Sequence, residues 1–115
     1  MAKTRVLVEF GMGTSLRRAD YTAAAERAIR DALWHNSINL AELFGKDKSE
    51  MQITVEVAVA QPDQIEKAKI AAIFPYGQVT VAPVKGGLDV PRPEGNPTVI
   101  ANVAISVAMD VEVKP

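Results

Sequence analysis

The chain has 115 residues, 48% hydrophobic and 23% charged, and it contains no cysteine. That size and mix fit one globular domain over residues 1–115 and exclude a disordered chain, while the lack of cysteine excludes a disulfide scaffold, thiolate metal sites and a cysteine nucleophile. Thirteen basic against fourteen acidic residues leave a net charge of −1, which argues against general nucleic-acid binding.

Residues 4–10 read as a strand, with Val6, Val8 and Phe10 on one face by the two-residue period. Residues 11–19, Gly-Met-Gly-Thr-Ser-Leu-Arg-Arg-Ala, read as a loop, and Asp20 or Thr22 is placed to cap a helix over 22–36. Ala24, Ala25, Ala28, Ile29, Ala32 and Leu33 form its apolar stripe, while Glu26 with Arg30 and Arg27 with Asp31 are i,i+4 pairs. A stripe made mostly of alanine predicts close approach to whatever the helix covers. A short helical turn over 39–44 and a solvated connector over 45–50 follow. Residues 51–60 alternate cleanly as a second strand. Pro62 opens a second helix that runs to Ile73 and is stopped by Pro75. Residues 78–84 read as a third strand, 85–97 as a Gly/Pro-rich loop without periodicity, and 98–113 as a long final strand.

The order β-α-β-α-β-β predicts an α/β (α+β) domain: a single-layer mixed four-stranded sheet with both helices on one face. The opposite face would then carry Thr54, Ala58, Ile100, Asn102, Ala104, Ser106 and Ala108. Those side chains are small and only mildly polar, whereas a wet face is normally marked by charge, so self-association is expected to cover it. Asn102 and Ser106 would be placed to hydrogen-bond across such an interface. No run of about 18 apolar residues exists and the N-terminal residues lead straight into a strand pattern, so no membrane span and a cytoplasmic location are expected.

The loop carrying Gly11, Gly13, Thr14, Arg17 and Arg18 sits where a strand ends and a helix begins. Glycines permit close backbone approach, a helix N-terminus favours negative charge, and arginine forks suit carboxylate or phosphate. A small anionic ligand is therefore one reading, and a tight turn with exposed arginines is the other. The loop lacks the third glycine of a dinucleotide fingerprint and the Gly-Lys-Ser/Thr end of a P-loop. Ser15 would be a nucleophile if Lys85, before Gly86-Gly87, served as its base, a pairing that requires a desolvated lysine; the alternative is a turn serine and a surface lysine. His35, the single histidine, reads as a general base or as a cation at a helix C-terminus. Tyr76, in Phe74-Pro75-Tyr76-Gly77, is a candidate pocket residue, and Asp89 and Arg92 stand in a loop long enough to close over a site. No histidine or carboxylate cluster stands at ligand spacing, so no metal and no cofactor are expected.

The strand–GxG–helix opening, the alanine-rich helix ending near His35-Asn36-Ser37, Phe74-Pro75-Tyr76-Gly77 and Lys85-Gly86-Gly87-Leu88 together resemble a small bacterial family of conserved hypothetical proteins named after a Listeria Lin locus. The resemblance covers nearly the whole chain and implies no particular activity. The family pattern GxGxDxHG keeps Gly11 and Gly13 here, but Ser15 replaces its aspartate, Arg17 its histidine and Arg18 its last glycine. Asp and His can share a proton or bind a metal, and Ser with two arginines cannot do so in that way. The departure implies changed chemistry, or a non-catalytic paralogue able to serve as the second subunit of a mixed oligomer. A looser analogy, in architecture alone, is to ring-opening amidohydrolases whose small α/β units use Ser/Lys pairs.

Two functions follow. One is a self-associating accessory or binding protein that holds a small anion at Gly11, Gly13, Thr14, Arg17, Arg18 and Tyr76. The other is a small hydrolase or lyase in which Ser15 and Lys85 act on a polar or cyclic amide.

Overall fold

The fold is seen in a computed structural model, described here for residues 4–35, 50–74 and 77–109. Strand β1 (Thr4–Ser15) leads to helix α1 (Tyr21–His35), then strand β2 (Gln52–Val59). A 3-10 turn (Pro62–Gln64) and helix α2 (Lys67–Ala71) precede strands β3 (Gln78–Lys85), β4 (Leu88–Val90) and β5 (Thr98–Met109). The sheet order is β1-β5-β2-β3, with β4 also paired to β5. Strand β5 runs antiparallel to β1, β2 and β4, while β2 and β3 are parallel. The α/β class with both helices on one face is as expected, but the sheet has five strands instead of four.

One face of the sheet is the core. Met51, Ile53, Val55, Val57 and Val59 alternate inward from the β2 segment, and Val99, Ala101, Val103, Ile105, Val107 and Met109 do so from β5. Against them lie Ala24, Ala25, Ala28, Ile29 and Ala32 of α1, together with Ile65 and Ile70 from the second crossover. The stripe predicted for α1 is thus the buried one.

The glycines explain how α1 gets so close. Strand β1 does not end at Phe10; it continues through Ser15, and Gly11 and Gly13 pair with Val103 and Ala101 of β5. A Cβ on Gly11 would stand 2.1 Å from the Ala28 carbonyl oxygen, and one on Gly13 would stand 2.3 Å from the Ala24 oxygen and the Ala28 nitrogen. Two strand residues advance roughly 6.8 Å and four helical residues roughly 6 Å, so glycines two apart match alanines four apart. The expected ligand-facing role of Gly11 and Gly13 is therefore corrected: their missing side chains make room for the helix backbone.

The second helix is also shorter than expected. Ile65 is extended (φ −74°, ψ 125°), which separates the 3-10 turn from α2. The break turns Ile65 into the core, and the Glu66 N–H that α2 cannot use donates to the Thr22 hydroxyl at 3.0 Å. Strand β4 lies inside the segment expected to be irregular, and Lys85 ends β3 instead of starting that loop. The helical turn expected over 39–44 lies outside the described residues, as do Tyr76, residues 45–49 and the end of the last strand. No helix among the described residues is long and apolar enough to cross a membrane.

Candidate functional site

Where β1 meets α1, an open groove of 660 Å³ is lined by Thr14, Ser15, Leu16, Arg17, Arg18, Asp20, Ala23 and Arg27. Of the two caps expected for α1, Asp20 is the one used: its Oδ1 accepts the Ala23 N–H at 2.9 Å. Ala19 takes a positive φ of 49°, which swings the chain from strand direction into the helix. Ser15 is buried, and its Oγ accepts the Asp20 N–H at 3.3 Å, so this serine closes the turn.

Arg27 extends along the same side of α1 and donates to the Thr14 carbonyl, while Asp31 one turn later accepts the Met12 N–H at 3.0 Å. This i,i+4 pair satisfies backbone groups of edge strand β1, the kind of exposed edge that otherwise pairs with other chains. Arg17 and Arg18 are exposed, and neither guanidinium pairs with a carboxylate among the described residues. Their backbone neighbourhood is fixed by residues distant in sequence: Asn96 Nδ2 donates to the Arg17 carbonyl at 3.3 Å and the Thr98 hydroxyl to the Leu16 carbonyl at 3.2 Å. The groove thus offers two free arginine forks on a braced turn. Because Asp20 already caps α1, anion affinity here rests on the arginines more than on free helix N–H groups.

Behind the groove, the Tyr21 hydroxyl donates to Asp89 Oδ2 at 2.6 Å, tying α1 to β4. Burial, then the hydrogen bond and charge of Asp89, push the phenol from 10.0 up to about 12. The other Asp89 oxygen is buried and meets no donor among the described residues. A second groove of 380 Å³ on the opposite side of Arg18 is lined by Asp20, Glu26, Gln64, Glu66 and Lys69, a mixed-charge surface.

Of the residues singled out by sequence, Thr14, Ser15, Arg17 and Arg18 converge on the groove, and Gly11 and Gly13 lie under α1 instead. Ser15 and Lys85 are not brought together within one chain. Ser15 is on β1 and Lys85 on β3, with β5 and β2 between them, a separation of three strand spacings or roughly 14 Å. His35 ends α1, and Asn102 is exposed on the open face of the sheet. Arg27 was the residue missed. Its signal was present, since Asp20, Ala23 and Arg27 fall on one helix face at i, i+3 and i+7. Among the described residues no group of three or more His, Asp or Glu is placed to hold a metal.

A family model described as "Conserved hypothetical protein (Lin0512_fam)" matches residues 5–107. The chain belongs to this family. The Lin0512 match spans every described strand except the ends of β1 and β5. A crystal structure of an FtsZ-like protein of unknown function from Nostoc punctiforme is 32% identical, covers 96% of this chain and 99% of its own, and superposes with a TM-score of 0.84. No curated protein matches the chain. The Lin0512 resemblance read from the residues is thus correct.

Proposed function

We propose that this Lin0512 protein is a self-associating binding module that holds a small anion, carboxylate or phosphate, in the groove at the β1–α1 junction. The observation that carries the reading is the pair of guanidinium groups, Arg17 and Arg18, unpaired among the described residues, on a turn held by Asn96 and Thr98. A braced turn limits the entropy lost on binding, and arginine forks match both anions. Among the described residues the groove's lining carboxylate, Asp20, is engaged as a helix cap, which supports a binding role for the arginines. The exposed side chains of the open sheet face support self-association, whether with identical copies or as the accessory subunit of a paralogue. The cytoplasmic location expected from the sequence belongs to the same reading.

The test is titration calorimetry with inorganic phosphate and with citrate, at low and at moderate salt. Each lost charge-assisted hydrogen bond is worth about 1.5–3 kcal/mol, so the Arg17→Ala/Arg18→Ala variant is expected to bind at least about tenfold more weakly. No heat with either anion, or equal affinity in the variant, contradicts the reading.

A further inference from the structure

The open face of the sheet is not uniform. The strand register places Phe10 beside Ala104, Met12 beside Asn102, Val84 beside Ala58 and Leu88 beside Ile100. These residues occupy the half of the face nearest β4. Phe10 is 72% exposed, Leu88 56% and Met12 55%. The other half carries Gln52, Thr54, Gln78, Thr80 and Ser106, and Glu56 stands at the boundary. We infer that the apolar, β4-side half of this open face is the surface through which two copies of the chain pair. The inference rests on the self-association of the proposed function and says where it occurs and with what.

Three observations point to a second copy seated on the face. First, the edge strands β1 and β3 are each interrupted against strand addition. On β1, Asp31 takes the Met12 N–H and Arg27 the Thr14 carbonyl. On β3, Gln78 and Gly86 donate their N–H groups to Met51 and Val59, so odd-numbered residues turn outward, and one of them, Pro83, has no N–H to offer. Second, a two-fold contact brings each surface patch against itself, so any charge meets its own sign. Apart from Glu56, which pairs with Ala104 at the boundary, the apolar half bears no charged side chain among its paired positions, and the whole chain carries only −1, so like-charge repulsion between two copies is confined to that boundary. Bulky Phe10 and Met12 beside small Ala104 and Asn102 also set a ridge next to a trough on one surface, as a self-complementary contact needs. Third, the area is right for a reversible pair. Each position on a sheet face occupies about 33 Å², so about twelve positions give about 400 Å² and the full face about 650 Å². The apolar half is about half of the roughly 800 Å² per partner of a standard interface and even the full face falls short of it, so the pair is a weak one that exchanges with monomer.

Sedimentation velocity on the full chain from about 1 to about 200 μM tests this. The expected result is a concentration-dependent monomer–dimer shift that Phe10→Lys or Met12→Lys weakens at least about tenfold and that Thr80→Lys, on the polar half, leaves unchanged. Circular dichroism melts establish that each variant is folded, and Leu88→Lys is a third probe of the same half should one of the first two fail to fold. A wild-type monomer throughout overturns the pairing of identical copies as well as its location. A wild-type dimer that survives Phe10→Lys, Met12→Lys and Leu88→Lys, or that Thr80→Lys disrupts equally, leaves the self-association standing and overturns the assignment of the surface.

Discussion

The two faces of the sheet are built from the same strands and are opposite in character. On the helix face, residues of β2 and β5 such as Val55, Val57, Ile105 and Val107 are fully buried. One residue along each strand, Glu56, Ala58, Asn102 and Ala104 face the other way and keep part or all of their exposure. The contrast is greatest on β1. Its inward positions Gly11 and Gly13 have no side chains because α1 takes the space, and its outward positions Phe10 and Met12 carry large apolar side chains with no cover. In an ordinary amphipathic strand the large residues face the core; here they face out. The inversion separates what holds the fold together from what is left over for another molecule.

The comparison is broken most strongly at the glycines. Gly13→Ala would press a methyl group into the α1 backbone, which cannot swing aside as a side chain can. It is expected to cost about 3 kcal/mol or more, at the upper end for overpacking, and to be read as a large fall in thermal midpoint. Tyr21→Phe comes next: it removes a hydrogen bond to a carboxylate and leaves neither Asp89 oxygen with a donor among the described residues, for about 2 kcal/mol in urea unfolding. The same bond predicts a pH effect with a definite sign. Tyr21 holds its proton more tightly when folded, about 12 against 10.0, so its contribution is complete below pH 10 and is lost as pH rises toward 12. Wild type is therefore expected to lose stability relative to Tyr21→Phe across that window. Asp20→Ala removes the α1 cap and is expected to cost about 1 kcal/mol by the same urea assay. The smallest effect belongs to the open face, where Met12→Ser is expected to change monomer stability by no more than about 0.5 kcal/mol. A large loss there would mean that the uncovered face holds the fold after all.

Much of this contrast could be read from the residues. The alternation of 51–59 and 98–109 and the alanine stripe of α1 have a single dominant period each, so burial follows period. Gly-Met-Gly misled because glycine marks loops more often than strands. The informative detail was that Gly11 and Gly13 continue the two-residue period while alanines at 24, 28 and 32 offer a matching four-residue spacing. Strand β4 has three residues, too few to show a period, and it exists through its pairing with β5 and the Tyr21–Asp89 bond. Ile65 broke the expected second helix because burying it against the core outweighs continuing the turn, with Thr22 supplying the lost acceptor. Arg17 and Arg18 were legible as a site because exposed arginines beside a helix start need no tertiary information. Arg27 needed the register between α1 and β1.

Methionine oxidation tests the division between the faces most directly, because the chain carries its own references. Met51 and Met109 are fully buried on the helix face and Met12 is 55% exposed on the open one. With dilute protein and limiting peroxide, Met12 is expected to oxidise readily and the two buried methionines slowly. On raising the protein to about 200 μM, where the proposed pair is expected to form, Met12 should become protected while the two buried methionines are unchanged. Equal oxidation of Met12 at both concentrations would contradict the account, since a face that pairs copies cannot leave its central methionine as reactive as before.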